Sequence, residues 1–190
     1  MLHRMTDILA LAFWLFLAGL RLGQAWALRS PLALLLALQA GLVASALAVR
    51  RSDVAQIPLH QKLVAWGSAL LPFALQVEQQ PGGLQVGMAI AGLALAVWGL
   101  LSLRRSFGVA PADRGLVRHG PYRLLRHPIY AGELLAVLAV LLGAETPRNA
   151  LAVGLLLGAV LLRIRWEERA LCGYSGYAHR TRWRLLPGVW

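Results

Sequence analysis

Six apolar segments separated by short polar stretches set the pattern of the chain. They cover residues 8–28, 31–49, 63–77, 84–103, 129–143 and 149–162. Three of them approach the roughly 20 residues that a helix needs to cross the hydrocarbon core of a bilayer. The others are shorter, and the last two are joined by the tight turn AETPR, which predicts a short helical hairpin. The pattern therefore predicts an all-α integral membrane protein with about six transmembrane helices.

The first segment resembles a secretory signal in position, but its features argue against one. It is too long, contains Arg21 and lacks a clean cleavage site of small residues. We therefore predict a retained helix. Because a charged side chain within a span is costly, we expect Arg21 to reach the membrane interface or to bond a neighbouring backbone carbonyl.

The composition excludes a soluble globular domain and a disordered chain. Hydrophobic residues make up 58% of the sequence and charged residues only 14%, against roughly 25% charged in ordinary soluble domains. The mean hydropathy is +0.61. The single cysteine, Cys172, excludes an intrachain disulfide and a cysteine-based metal cluster. We expect no bound metal.

The net charge of +11 is mainly a topology signal. If all six segments cross and the N-terminus is cytoplasmic, 16 of the 19 basic residues lie on the cytoplasmic side. Only Arg29 and Arg148 fall on the other side, and Arg21 lies within a span. Cytoplasmic loops collect such bases, so the pattern predicts an inner-membrane protein with both termini in the cytoplasm. Membrane lipids are the expected partners, and nucleic acid is not.

The first candidate site lies in the predicted cytoplasmic loop 104–128, at the start of the fifth segment. Gly120 and Pro121 indicate a turn, and Pro128 is suited to the first position of a helix. The donors and rings around this helix start are Arg123, Arg126, His127, Tyr122 and Tyr130. A helix N-terminus with such donors suits an anion. The alternative is an interfacial loop whose arginines meet lipid headgroups and whose tyrosines belong to an aromatic belt.

The second candidate site is the stretch RIRWEERAL, residues 163–171, within the predicted cytoplasmic segment 163–190. Arg163 and Glu167 are four residues apart and share a helix face. Either they form an ordinary salt bridge, or Glu167 accepts hydrogen bonds from a ligand while Arg163 holds an anionic group. The candidate bases are Glu133, His119 and Glu168. Glu133 lies within the fifth segment, and acids inside a membrane often have a function. Its alternative role is an interfacial ion pair.

These motifs together carry a family resemblance. GPYRLLRHPIYAG, followed by RIRWEERAL and then RLLPG, resembles the isoprenylcysteine carboxyl methyltransferase family. That family belongs to a wider group of membrane methyltransferases that includes phospholipid N-methyltransferases. The resemblance covers roughly residues 84–187. It implies a five-helix methyltransferase core within residues 31–190, with residues 1–30 as an additional N-terminal transmembrane helix.

The resemblance also implies a cofactor and the residues that bind it. S-adenosylmethionine binds in a cytoplasm-facing pocket of the membrane domain in this family. The matching positions here, with Arg126 as a further donor, are Arg114, Gly115, Leu116, Val117, Tyr122, His127, Pro128, Ile129, Tyr130 and Glu167. Arg163 matches the arginine that is implicated with the substrate carboxylate. The tail departs from the family pattern around Tyr174 and Tyr177.

The expected function is therefore methyl transfer from S-adenosylmethionine to a lipophilic acceptor. The resemblance favours carboxyl methylation of a prenylated cysteine or an analogous small lipid, with Arg163, Glu167 and Glu133 as the catalytic residues. N-methylation of a phospholipid headgroup is the enzymatic alternative. A membrane binding protein that retains the fold without activity is the non-enzymatic one.

Overall fold

The computed structural model describes residues 2–49, 57–77, 81–109, 113 and 115–190. Within these ranges the chain forms seven α-helices and no β-strand, which confirms the all-α prediction. The helices are α1 (Leu2–Leu28), α2 (Pro31–Val49), α3 (Leu59–Leu70), α4 (Gly83–Leu103), α5 (Pro128–Gly143), α6 (Pro147–Ala170) and α7 (Tyr174–Arg180).

Three helices in the part of the chain that the structure describes are long and apolar enough to cross a membrane. Their apolar spans are Leu11–Leu28 in α1, Gly83–Leu103 in α4 and Pro147–Ala170 in α6. The apolar parts of α2 and α5 are shorter, at Pro31–Ala46 and Pro128–Gly143. These findings support a membrane protein, while the number of crossings and the orientation stay predictions.

The third apolar segment folds differently from the expected continuous span over residues 63–77. Its helix α3 begins earlier, at Leu59, and ends at Leu70, after which Leu71–Ala74 form a 3₁₀ turn. The break coincides with Pro72, which has no amide hydrogen to continue the helical hydrogen-bond ladder. Because the 3₁₀ turn ends at Ala74, the carbonyl oxygen of Pro72 accepts only a long bond of 3.4 Å from the Leu75 amide and can take a second donor from another element.

Arg21 of α1 takes that carbonyl. Its guanidinium donates to the oxygen of Pro72 and to Oε1 of Gln24, the latter at 2.7 Å. The guanidinium carbon also lies 5.4 Å from the centroid of the Phe73 ring. Arg21 is only 2% exposed. We expected Arg21 either to reach the membrane interface or to bond a neighbouring carbonyl, and the structure has the bond to the carbonyl.

The helical hairpin of α5 and α6 is confirmed, but it is not short, because α6 has 24 residues and extends well beyond the predicted segment 149–162. A polar network holds its turn. Thr146 caps α6 by accepting a hydrogen bond from the amide of Asn149 at 3.1 Å. The buried side chain of Asn149 also donates to the carbonyl of Ala144 and bonds both backbone groups of Gln76. This network fixes α6 against the segment that follows α3.

The loop before α5 and the tail after α6 fold against each other at one end of the molecule. The amides of Arg126 and His127 donate to the carbonyls of Trp183 and Arg184 at 2.8 and 3.0 Å. The hydroxyl of Tyr177 donates to the carbonyl of Tyr122 at 2.7 Å. The two polar segments that the sequence places on the same side of the membrane therefore form one cap over the helices.

Candidate functional site

A large cavity lies beneath this cap, between the helices. Its volume is about 1190 Å³, including the part that opens to solvent. One part of the wall is apolar and includes Val43, Ala69, Leu100, Phe107 and Ile129; the other part carries polar side chains from α5, α6 and the cap. A concave, mostly apolar pocket with a few converging polar groups is typical of a ligand site.

Three side chains from the predicted motifs meet in the polar part of the wall. The hydroxyl of Tyr130, in the first turn of α5, donates to the carboxylate of Glu167 on α6. Nδ1 of His127, the residue before α5, lies 3.5 Å from the other carboxylate oxygen of Glu167. The His127 and Tyr130 rings stack, with 5.8 Å between their centroids. Two neighbours thus fix the orientation of the Glu167 carboxylate at the cavity.

Arg163 lies one helical turn before Glu167 and also lines the cavity. Its Nη1 donates to Oγ of Ser68 at 3.1 Å and its Nη2 to the carbonyl of Val109 at 2.8 Å. The guanidinium carbon lies 4.8 Å from the Tyr130 ring centroid. Its buried Nε–H has no hydrogen-bond partner in the part of the chain that the structure describes.

Arg163 and Glu167, both of which the structure describes, do not form the ordinary salt bridge that was one of the two expectations. The ion-pair partner of Glu167 is His127, and the guanidinium of Arg163 is held by two neutral oxygens. Each side chain therefore keeps hydrogen-bonding capacity at the wall of the cavity. Glu133 lines the cavity as well.

Glu168, next to Glu167, holds the tail instead of lining the cavity. Its carboxylate accepts from Nε and Nη2 of Arg184 at 2.8 and 3.0 Å, and from the hydroxyl of Tyr174 at 2.6 Å. Nε2 of His127 lies 3.4 Å away. These contacts commit Glu168 to structure, so the expectation that it serves as a base is not supported by its position.

The environment of His127 favours its protonated form. Burial lowers the pKa of this imidazole, but the hydrogen bonds with Glu167 and Glu168 outweigh burial and raise the pKa above its ordinary value. Burial, assisted by the charge of Glu167, raises the pKa of Tyr122 well above its usual range. The site therefore places an imidazole with a raised pKa beside the Glu167 carboxylate, and a phenol that resists ionisation in the same cavity wall.

Most of the predicted site residues line the cavity. Those that do are Gly115, Leu116, Val117, Tyr122, Arg126, His127, Ile129, Tyr130, Glu133, Arg163 and Glu167. Pro128 is an exception, because it is fully buried against α4 and helps to pack the two helices. Arg114 lies outside the described residues. Arg123 and His119 are exposed and do not belong to the cavity wall.

Arg126 lines the cavity but does not offer the free donors that were expected of it. Its Nε donates to the carbonyl of Thr181 at 2.6 Å and its Nη2 to that of Ala178 at 3.0 Å. Its Nη1 lies 3.6 Å from Glu168. The guanidinium is thus used to anchor the tail, and the anion-binding role predicted for it is weakened.

Sequence reasoning missed several cavity residues outside the two motifs. Trp14 on α1 and Gln39 on α2 line the cavity, as do Tyr174 and Tyr177 from α7. The tail tyrosines could have been included from their spacing after Glu167. Nothing in the local sequence marks Trp14 or Gln39, because only the packing of α1 and α2 brings them to the cavity.

Comparison with known proteins supports methyl-transfer chemistry. Residues 84–174, less than half of the chain, match the family model described as phospholipid methyltransferase. The matched region contains α4 except its first residue, α5, the loop between them and all of α6, and hence His127, Tyr130 and Glu167. None of the curated proteins compared with the chain matches it. The family match and the long apolar helices support a membrane methyltransferase and leave the acceptor open.

Proposed function

We propose that this chain transfers a methyl group from S-adenosylmethionine to a lipophilic acceptor in the membrane. The observation that carries the proposal is the meeting of His127, Tyr130 and Glu167 at the wall of a largely apolar cavity. These residues come from motifs separated in sequence. A surface salt bridge or a lipid-facing aromatic belt would not require them to converge.

The residues around the cavity fit S-adenosylmethionine. When bound, this cofactor supplies an activated methyl group on a cationic sulfur. The Glu167 carboxylate suits ribose hydroxyls or an ammonium group, and the rings of Tyr122 and Tyr174 offer flat surfaces for a base or a cation. The unpaired Nε–H of Arg163 suits an anionic oxygen.

The side chains of the site act chiefly by positioning. Tyr130 and His127 hold the Glu167 carboxylate in one orientation, which reduces the entropy lost when a ligand binds. Arg163 orients a negatively charged group of the acceptor. If the nucleophile is an amine, Glu133 takes up its proton; a carboxylate nucleophile needs no base. In this assignment Glu167 acts on the cofactor, and Arg163 and Glu133 act on the acceptor.

Two acceptors follow from these residues. The carboxyl group of a prenylated cysteine, or of an analogous small lipid, fits the buried guanidinium of Arg163 and is the first candidate. A phospholipid amine is the second, and it is favoured by the family match and by the position of Glu133. We place the enzyme in the inner membrane, with six crossings and the cap in the cytoplasm.

Methyl transfer with labelled cofactor tests this function. Purified protein in detergent is given methyl-labelled S-adenosylmethionine with either N-acetyl-S-farnesylcysteine or dioleoyl phosphatidylethanolamine. A base-labile label on the first acceptor indicates carboxyl methylation, and a base-stable label on the second indicates N-methylation. Cofactor binding without transfer to any membrane lipid would instead support a binding protein that retains the fold.

Arg163→Leu tests the part of the acceptor assignment that the geometry makes most specific. We expect turnover to fall roughly 100-fold or more, because the reacting group loses its orientation, while cofactor affinity stays within a few-fold. Arg165→Leu is the matched control, since Arg165 is exposed two residues further along the same helix. Equal losses in both variants would contradict a specific role for Arg163.

A further inference from the structure

The indole of Trp14 carries a buried hydrogen-bond donor without a partner. Trp14 lies on α1, is 4% exposed and lines the cavity. Its ring packs edge-on against Phe73, with 5.8 Å between the centroids, but its Nε1–H finds no acceptor among the described residues. A buried donor left unpaired carries its full desolvation cost. An acceptor supplied by a ligand would remove that cost.

A second neutral polar group lines the same cavity from the neighbouring helix. Gln39 of α2 contributes its side chain to the wall, and the hydrogen bonds of the described chain include none from its amide. The wall near Trp14 is otherwise apolar, because Trp14 packs in one cluster with Ala69, Leu100 and Phe107. The cavity therefore has two uncharged hydrogen-bonding groups on its α1 and α2 walls, and the wall around Trp14 is apolar.

We propose that Trp14 and Gln39 bind a neutral carbonyl group of the lipophilic acceptor, which makes α1 part of the acceptor site. This inference rests on the proposed function. An indole N–H can only donate, and a glutamine amide can add a second donor. A charged group would be costly in this apolar setting, whereas an ester or amide carbonyl needs only donors.

Such a carbonyl has two possible sources. Acyl esters of a phospholipid contain it, and so does the amide on the amino group of a prenylated cysteine. In either case its place beside Trp14 would leave the reacting end of the acceptor free to reach Arg163 and Glu133, which line the same cavity. The additional helix would then select acceptors by a group that does not react.

Nuclear magnetic resonance of the indole N–H groups tests this directly. The full chain is labelled with ¹⁵N-tryptophan in detergent, and the Trp14 signal is assigned from Trp14→Phe. Two matched pairs of probes are added: diacyl and dialkyl-ether phosphatidylethanolamine, and N-acetyl-S-farnesylcysteine and S-farnesylthiopropionic acid. The first member of each pair has the neutral ester or amide carbonyl, and the second lacks it. Trp26, 88% exposed on the same helix, is the internal control.

We expect the Trp14 signal to shift with the carbonyl-bearing member of one pair only. The pair that causes the shift identifies the source of the carbonyl. The Trp26 signal should respond alike to both members of each pair. Trp14→Phe keeps an aromatic ring against Phe73 but removes the N–H donor, so binding of that probe should weaken about tenfold. A tenfold change corresponds to about 1.4 kcal/mol, which is within the range of one hydrogen bond. Trp26→Phe should leave it unchanged. An unmoved Trp14 signal, or equal shifts within both pairs, would overturn the inference. A carbonyl-dependent shift without any methyl transfer would refute the proposed function alone.

Discussion

Glu167 and Glu168 are adjacent acids at the end of α6, and their contacts divide their tasks. Glu168 is surrounded by Arg184, Tyr174 and His127, which tie the tail to the helices. Glu167 contacts Tyr130 and His127 and faces the cavity. In sequence the two acids are equivalent neighbours, so only the packing of the tail distinguishes the structural acid from the ligand-facing one.

Exchange of each acid for its amide should separate these tasks. Glu168→Gln removes a charge that accepts two bonds from Arg184, so we expect the free energy of unfolding to fall by about 1.5–3 kcal/mol, the range for hydrogen bonds to charged groups. Glu167→Gln should raise the Michaelis constant for S-adenosylmethionine about tenfold or more with a smaller loss of stability. Unfolding in detergent and transfer kinetics measure the two effects. The same pair of effects in both variants would contradict the division.

The pKa of His127 predicts how stability depends on pH. Because this pKa is raised above 6.5 in the folded protein, the stabilisation by protonated His127 is fully present below about pH 6.5 and is lost as the pH rises through the folded pKa. Unfolding temperatures of the wild type and His127→Gln should therefore differ most near about pH 5.5 and converge at high pH. A difference that grows with pH would contradict the raised pKa.

At the scale of the elements, two glycines set the distance between α4 and α5. A Cβ atom at Gly92 would lie 2.5 Å from the carbonyl oxygen of Gly132, and a Cβ at Gly132 would collide with the backbone of Gly92. The two helices can therefore approach closely only because both positions lack a side chain. This contact fixes the start of α5, and thereby Tyr130, relative to the cavity.

Gly92→Ala should push α4 and α5 apart. Overpacking of this kind costs about 1–3 kcal/mol, so we expect a lower unfolding temperature and weaker cofactor binding. Gly87→Ala lies on the same helix with no heavy atom within 4 Å of the new Cβ, and it should be neutral or slightly stabilising. Equal unfolding temperatures for the two variants would show that the close approach is not needed.

The apolar segments of the sequence predicted most helices, because a helix that is buried in a membrane or a core needs a long apolar run. The bounds of α2 match the second segment, α4 begins one residue before its apolar segment, and α5 begins at Pro128, the residue predicted for its first position. The third segment was less accurate, because hydropathy does not register the break at Pro72. The short helix α7 was not predicted, since contacts with the cap, such as that of Tyr177 with Tyr122, stabilise it.

At the scale of the whole molecule, the distribution of bases predicts the orientation in the membrane. With both termini inside and six crossings, residues 55, 80 and 147 fall inside, outside and outside. Reporter fusions after these residues should show that order. An external reporter after residue 55 would contradict the topology and would place the cap on the other side of the membrane.

The candidate site could be predicted in part from sequence, to the extent that its residues lie in compact motifs. His127, Tyr130 and Glu167 were identified and do meet. Arg126 was assigned a ligand role because its charge is visible in sequence and its bonds to the tail carbonyls are not. Trp14 was missed because a single aromatic residue in an apolar helix looks like any lipid-facing one until the helices are packed.

Calorimetric titration of S-adenosylhomocysteine, the product form of the cofactor, tests the central claim most directly. The wild type in detergent should bind one equivalent saturably. His127→Ala should bind at least about tenfold more weakly, because Glu167 loses the charged hydrogen-bond partner that orients it. His119→Ala, an exposed histidine in the same loop, should bind like the wild type. The absence of saturable binding, or equal affinity in the two histidine variants, would contradict the assignment of this cavity to the cofactor.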